Sequence, residues 1–188
     1  MIGTFLSKRQ PAAGTPKRWI TPWIGLLVLL AGLILPAPAR AQIDIVEEID
    51  CLALNIYFEA RGESDLGKIA VGHVVLNRVA DTRFPETVCA VVQQGGEKTL
   101  HRCQFSWWCD GRSDSPRDSQ AWGQVKAVAR KVYWGFSPDP TAGSLWYHAA
   151  HVSPSWGKAL TRGPKIGQHL FYSDDTIAPR WQTSLAVD

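Results

Sequence analysis

The first 41 residues decide what the rest of the chain has to fold from, because they do not read as part of a folded core. Lys8, Arg9, Lys17 and Arg18 form a basic lead, and Trp23 to Leu35 is an apolar run interrupted only by glycines. The run closes in Pro36-Ala37-Pro38-Ala39-Arg40-Ala41, where Ala39-x-Ala41 is the small-residue pattern that a signal peptidase accepts. It falls short of the roughly 20 residues that a spanning helix needs. Extended to Ala39 it reaches 17 residues, so an uncleaved segment that holds the protein to the membrane is the alternative. We expect residues 1–41 to be a signal peptide (or N-terminal anchor) and residues 42–188 to form a single domain, exported to the periplasm.

That division changes the charge. Five of the 20 Lys and Arg residues precede Gln42 and none of the 17 acids does, so the remainder holds 15 basic residues against 17 acidic. The formal +3 of the whole chain is therefore a targeting property. No basic stripe survives, which argues against nucleic acid as a partner. Cys51, Cys89, Cys103 and Cys109 all lie in the exported part. An even count in an oxidising compartment points to two disulfides. Of three connectivities, the short Cys103–Cys109 interval favours a local staple, leaving Cys51 to pair with Cys89. A zinc site using His101 or His73 lacks the C-x-x-C spacing, so no metal is expected.

Apolar residues recur at helical steps from Ile45 to Ala60, with Leu52, Ile56 and Glu59 on one side. Gly62 is a stop and Ser64 caps a second helix running to about Val79. Ala70, Val74 and Asn77 share one of its faces, and Ile69, His73 and Leu76 the next. After Phe84-Pro85, Glu86 to Gln93 makes a short third helix ending at Gly95-Gly96. Residues 95–118 are loop-like yet contain Phe105, Trp107 and Trp108; a polar loop with three aromatics lines a cleft or packs over one. Asp118 or Ser119 caps a fourth helix, Gln120 to Trp134, whose stripe is Trp122, Val125, Val128, Ala129 and Val132. Ser144 to Ala149 and Lys165 to Ser173 read as strands. Helices first and strands later imply an α+β fold, a small sheet beside a helical core.

The stretch with chemistry in it is Asn55-Ile56-Tyr57-Phe58-Glu59-Ala60-Arg61-Gly62-Glu63. Glu59 ends an apolar helix, directly after two aromatics. Apolar surroundings disfavour the charged carboxylate and raise its pKa, and the negative end of the helix dipole acts in the same direction. Such a group is a sensible general acid for a glycosidic bond. On chemistry alone, a surface carboxylate paired with Arg61 or Lys68 reads equally well.

Cys51 through Glu63, Gly67-x-x-Ala70-Val71 and Val74-Val75-Leu76-Asn77-Arg78-Val79 closely resemble the SleB/CwlJ cell-wall hydrolase family, whose founding members are spore-cortex-lytic enzymes. Phe84-Pro85, Val88-Cys89, Cys103-Gln104-Phe105-Ser106 and Ile166-Gly167-x-His169-x-Phe171-Tyr172 continue the match in order. The resemblance covers roughly residues 50–173 and implies a lysozyme-like fold, mostly helical with a small antiparallel sheet. It implies action on peptidoglycan as a lytic transglycosylase or muramidase-like enzyme, cutting the MurNAc–GlcNAc β-1,4 bond. The family's catalytic glutamate is the first Glu of x-E-A-R-G-E, which falls on Glu59. The four cysteines and the lack of an N-terminal peptidoglycan-binding repeat set this chain apart from the founders. Those differences point away from a spore-cortex substrate and towards a shorter periplasmic enzyme.

Two mechanisms follow. With one carboxylate, Glu59 protonates the bridging oxygen and then takes the proton of the sugar's own 6-hydroxyl, closing a 1,6-anhydro ring. With two, Glu63 joins it, provided the helix continues past Gly62 and puts both on one face; otherwise Glu63 is structural. Gln104, Phe105 and Ser106 combine an amide, a ring and a hydroxyl suited to sugar, or else plug a stapled loop. Tyr147 and His148 are expected to line the cleft and orient Glu59 or substrate, with Trp107, Trp108 and Trp156 as sugar contacts. His169 reads as structural. No cofactor is expected. The rival classes are a zinc amidase or peptidase and a glycan-binding module without activity. Unchecked wall cleavage is lethal, so a regulator not visible in the sequence is expected.

Overall fold

The computed structural model describes residues 44–95 and 102–174; residues 1–41, expected to be a signal peptide or anchor, and Gly96 and His101 lie outside them. Helix α1 spans Ile45–Ala60 and starts where the Asp44 carboxylate accepts the backbone N–H groups of Val46 (2.9 Å) and Glu47 (3.4 Å), satisfying donors that the first turn leaves open. Helix α2, Asp65–Ala80, is capped by Ser64 through the N–H of Gly67. The short α3, Val88–Val92, has two caps. Thr87 accepts from Ala90, and the buried Glu48 of α1 accepts from Val88 and Cys89. The Cys51–Cys89 disulfide fastens the same junction, and Cys103–Cys109 closes the second, local loop. Both pairings are those that the spacing favoured.

Helix α4, Ser119–Tyr133, is capped by Asp118 and buries Val125, Val128, Ala129 and Val132, while Trp122 sits at the edge of that stripe. Leu52, Ala53 and Ile56 of α1 pack against these residues and Val75 of α2. A Cβ at Gly72 would stand 3.1 Å from the Ile56 Cδ1 and 3.3 Å from a Val132 methyl, so α1, α2 and α4 cross closely here and a side chain would press on both neighbours. A separate apolar layer joins Ala70 and Val74 of α2 to Ile166 and Phe171 of the sheet. Helix α2 thus has one face on the helices and another on the strands.

The sheet has three antiparallel strands in the order β1-β3-β2: β1 Trp146–Ala149, β2 Thr161–Ile166 and β3 His169–Ser173. The sequence expectation of one strand over Lys165 to Ser173 is corrected here. Gly167 adopts φ 55° and reverses the chain, so that Ile166 pairs with His169 in a two-residue hairpin. Glycine occupies that left-handed position without a Cβ penalty. Register also slips between Arg162 and Lys165, where Pro164 has no N–H to give the ladder and an edge strand tolerates the gap.

Two consecutive residues of α2 fix where β1 begins. The Asn77 amide donates to Asp139 (3.0 Å), Thr141 (3.4 Å) and the Ser144 carbonyl (3.1 Å), and Arg78 Nε donates to the Leu145 carbonyl at 2.7 Å. Asp139 in turn accepts from Thr141 and Gly143. The Pro-rich turn is thereby tied to α2, and β1 leaves it in a defined direction.

Candidate active site

Glu59 stands one residue before the end of α1, half-buried, with no basic residue in that last turn. Facing it, Tyr147 of β1 donates its hydroxyl to Glu59 Oε2 at 3.2 Å. Burial pushes the Glu59 carboxyl above its ordinary value; the Tyr147 hydrogen bond and the charge of Arg78 pull the other way without cancelling it. The Tyr147 phenol is held well above its own ordinary value, first by burial and then by the Glu59 charge. It therefore stays a donor across the working range of the carboxyl.

Arg78 is 2 % exposed. Its guanidinium lies over Phe84 (5.4 Å) and Phe105 (5.2 Å), and its Nη1 has no hydrogen-bond partner among the described residues. Burial pushes this group down to about 10, still cationic at neutral pH, with Tyr147 and Glu59 opposing the shift. Glu59, Arg78, Tyr147, Gln104 and Ser106 line a cavity of about 190 Å³. Arg78, Gln104 and Tyr147 also line a neighbouring cavity of about 410 Å³ that continues to Trp146, Trp156 and Leu160. The two form one cleft with an acid at one end and an exposed aromatic at the other. Among the described residues, Glu59 is its sole carboxylate.

The sequence profile described as Cell Wall Hydrolase matches residues 62–172, from the loop after α1 through β3. The chain belongs to the cell wall hydrolase family. Within reach of it, the spore cortex-lytic enzyme of Bacillus cereus is 32 % identical over 126 residues, 66 % of this chain and 43 % of that protein. The spore cortex-lytic enzyme of Bacillus subtilis is 28 % identical over 151 residues, 72 % of this chain and 44 % of that one. The chain spans less than half the length of these curated relatives. Among solved structures, the catalytic domain of the germination-specific lytic transglycosylase SleB from Bacillus anthracis aligns with a TM-score of 0.54 at 28 % identity, covering 73 % of this chain and 99 % of that one. The catalytic domain of the Bacillus cereus SleB protein gives 0.51 at 27 % identity, covering 73 % and 100 %. The α+β, lysozyme-like class expected from the sequence holds for this member of the family.

Not every residue singled out in this cell wall hydrolase meets Glu59. Glu63 is turned away: helix α1 ends, and the Glu63 carboxylate accepts the Gln168 N–H of the β2–β3 turn at 3.2 and 3.3 Å, with His169 Nδ1 at 3.8 Å. The continuous helix that would align it with Glu59 is absent, and its carboxylate anchors the hairpin. Strand alternation separates Tyr147 from His148. Tyr147 packs on Phe171 on the side of α2, while His148 has Nε2 2.9 Å from the Tyr172 hydroxyl and Nδ1 2.9 Å from the Ala149 carbonyl. His148 and Tyr172 instead back Trp156, edge-on at 5.6 and 5.5 Å.

Phe105 is almost wholly buried in the core and supports Arg78 from beneath, and it reaches the Glu59 cavity only as part of its wall. Trp107 is buried, stacked on Phe58 at 4.6 Å with its indole N–H donated to Asn55 at 3.2 Å, and it faces a different pocket from Glu59. Gln104, Ser106 and Trp156 are accessible in the cleft. His169 is buried, with Nδ1 lacking a hydrogen-bond partner among the described residues. Arg78, Trp146 and Leu160 were not foreseen as lining residues. For Arg78 a signal existed: an arginine inside the apolar run Val74-Val75-Leu76-Asn77-Arg78-Val79 must be buried with partners or be misplaced.

Proposed function

We propose that this protein, once exported, cleaves the glycan strand of peptidoglycan at the MurNAc–GlcNAc β-1,4 bond as a lytic transglycosylase, with Glu59 as general acid and then general base. The observation that carries this reading is the solitary carboxylate: Glu59, raised by burial, shares its cleft with no second acid among the described residues. The two-carboxylate hydrolytic mechanism places a partner carboxylate across the scissile bond, and the candidate for that part, Glu63, is committed to the Gln168 N–H. The likeness to the SleB lytic transglycosylase domain supports the same outcome.

In this mechanism Glu59 gives its proton to the bridging oxygen as the C1–O bond breaks, and the leaving GlcNAc departs with a hydroxyl. The acetamido group of the MurNAc supports the developing oxocarbenium ion. The carboxylate then removes the proton of the 6-hydroxyl while that oxygen bonds to C1, so no water is consumed and Glu59 returns protonated. Tyr147 keeps the carboxyl aimed through Oε2, and Arg78 stabilises it during its ionised interval. Gln104 and Ser106 supply polar contacts for sugar hydroxyls, and Trp156 a ring for a pyranose face.

The deciding experiment is a digest of purified peptidoglycan with mass analysis of the products. The proposal requires muropeptides one water lighter, with 1,6-anhydromuramic ends, and their loss in Glu59→Gln. Ordinary reducing ends would make water the acceptor, and an active Glu59→Gln would remove the central assignment.

A further inference from the structure

The Ser106–Cys109 turn has a second pocket on its other side. It encloses about 360 Å³ between the end of α1 and residues 110–117. Its inner wall is built. The Phe58 ring stacks on Trp107, and the buried Tyr57 hydroxyl accepts the backbone N–H groups of Arg117 (3.1 Å) and Asp118 (3.0 Å), which pins the loop. Arg61 extends over the Tyr57 ring at 5.1 Å, and Arg112 and Arg117 complete a cationic rim. None of these three guanidinium groups forms an ion pair with another described residue. Asp110 and Asp114 line the same space, and burial followed by the Asp110 charge pushes the Asp114 carboxyl up.

Resting on the reading of peptidoglycan as substrate, we propose that this pocket binds the peptide stem carried by the glycan strand. Three unpaired guanidinium groups suit a ligand with carboxylates, because arginine takes carboxylates by paired, charge-assisted hydrogen bonds. Asp110 and Asp114 offer the complementary place for an ammonium. A bare glycan offers no ammonium, whereas a stem with a diamino-acid residue presents carboxylates and an ammonium together. Position agrees with chemistry. Phe58 adjoins Glu59 along α1, and Trp107 adjoins Ser106 in the turn, so the pocket begins one residue from the cleft on both walls. On this proposal a stem hanging from the muramic acid at the cut site has this pocket as the neighbouring one.

The test separates this site from the catalytic reading. Full-length protein carrying Glu59→Gln is titrated with a purified stem tetrapeptide and followed by NMR or calorimetry. Saturable binding is expected, weakened by about tenfold or more when Arg112→Ala and Arg117→Ala are added. No saturable binding, or binding unchanged by the two substitutions, overturns the proposal whatever the cleavage assay shows. Peptide binding with no glycan cleavage by the wild type would instead sink the catalytic reading alone. As a second readout, wild-type cleavage of peptide-bearing strands is expected to exceed that of amidase-stripped strands, and the double substitution is expected to bring that ratio towards one. A ratio the double substitution leaves unchanged also overturns the assignment.

Discussion

Replacing Tyr147 by Phe removes one hydroxyl and leaves a ring of nearly the same shape between Phe171 and Glu59. That hydroxyl is the hydrogen bond that opposes the burial-driven rise of the Glu59 pKa. A hydrogen bond to a charged group is worth about 1.5–3 kcal/mol, and a length of 3.2 Å with partial exposure puts this one at the low end. Tyr147→Phe should therefore raise the Glu59 carboxyl further, because about 1.5 kcal/mol of bonding is lost from its ionised form. The sign is fixed because the bond favours the ionised form. The assay is kcat/KM for glycan cleavage against pH, whose alkaline limb reports ionisation of the acid in the free enzyme. In the proposed mechanism protonated Glu59 is the active form, so that limb should shift to higher pH even if the plateau falls. An alkaline limb that stays in place, or moves down, would refute the pairing of Tyr147 with the catalytic acid.

Three further outcomes follow from the same structure. Glu59→Gln should melt above the wild type at neutral pH. A carboxyl raised in the folded state gives its full stability below the ordinary 4.5 and loses it as pH rises through the folded value. The gap should close below pH 4.5, and a variant less stable at neutral pH would count against buried strain at this position. Gly167→Ala should cost about 2–3 kcal/mol, from the left-handed φ of 55° and a Cβ that collides with Glu63 Oε2. Gly111→Ala, with φ 78° and open space around it, bears only the conformational part; equal drops in melting temperature would contradict the Glu63 anchor. Loop entropy assigns about 4 kcal/mol to Cys51–Cys89, which spans 38 residues, and about 2 kcal/mol to Cys103–Cys109, which spans 6. Denaturant melts of the two Cys→Ser pairs should fall in that order, and the reverse order would refute it.

Much of the helical half was legible because its signals are local. Asp44, Ser64 and Asp118 each cap a helix through a backbone N–H within three residues, and a local motif of that kind can be read without knowing the fold. Disulfide pairing was readable for a similar reason, since one pair encloses a single short loop. The sheet was less so. Val, Ile, Phe and Tyr content marks β-structure but not where it reverses, and the Lys165–Ser173 segment became a hairpin through the backbone geometry of Gly167.

The amino-acid sequence by itself carried the family, and it marked Glu59, at the end of an apolar helix, as the residue on which the proposed chemistry rests. Tertiary structure alone decided which side chains share its cleft. Strand parity sends Tyr147 to Glu59 and His148 to Tyr172, and that parity depends on the register of β1 against β3, which pairs Tyr147 with Phe171. The register depends in turn on Asn77 and Arg78 holding residues 144 and 145 from a helix more than 60 positions earlier. Charge and burial around Glu59 come from Arg78, Tyr147 and the stapled loop, groups distant in sequence that meet only when the core closes. Local propensity cannot encode that meeting, because it is set by packing between elements and not within any one of them.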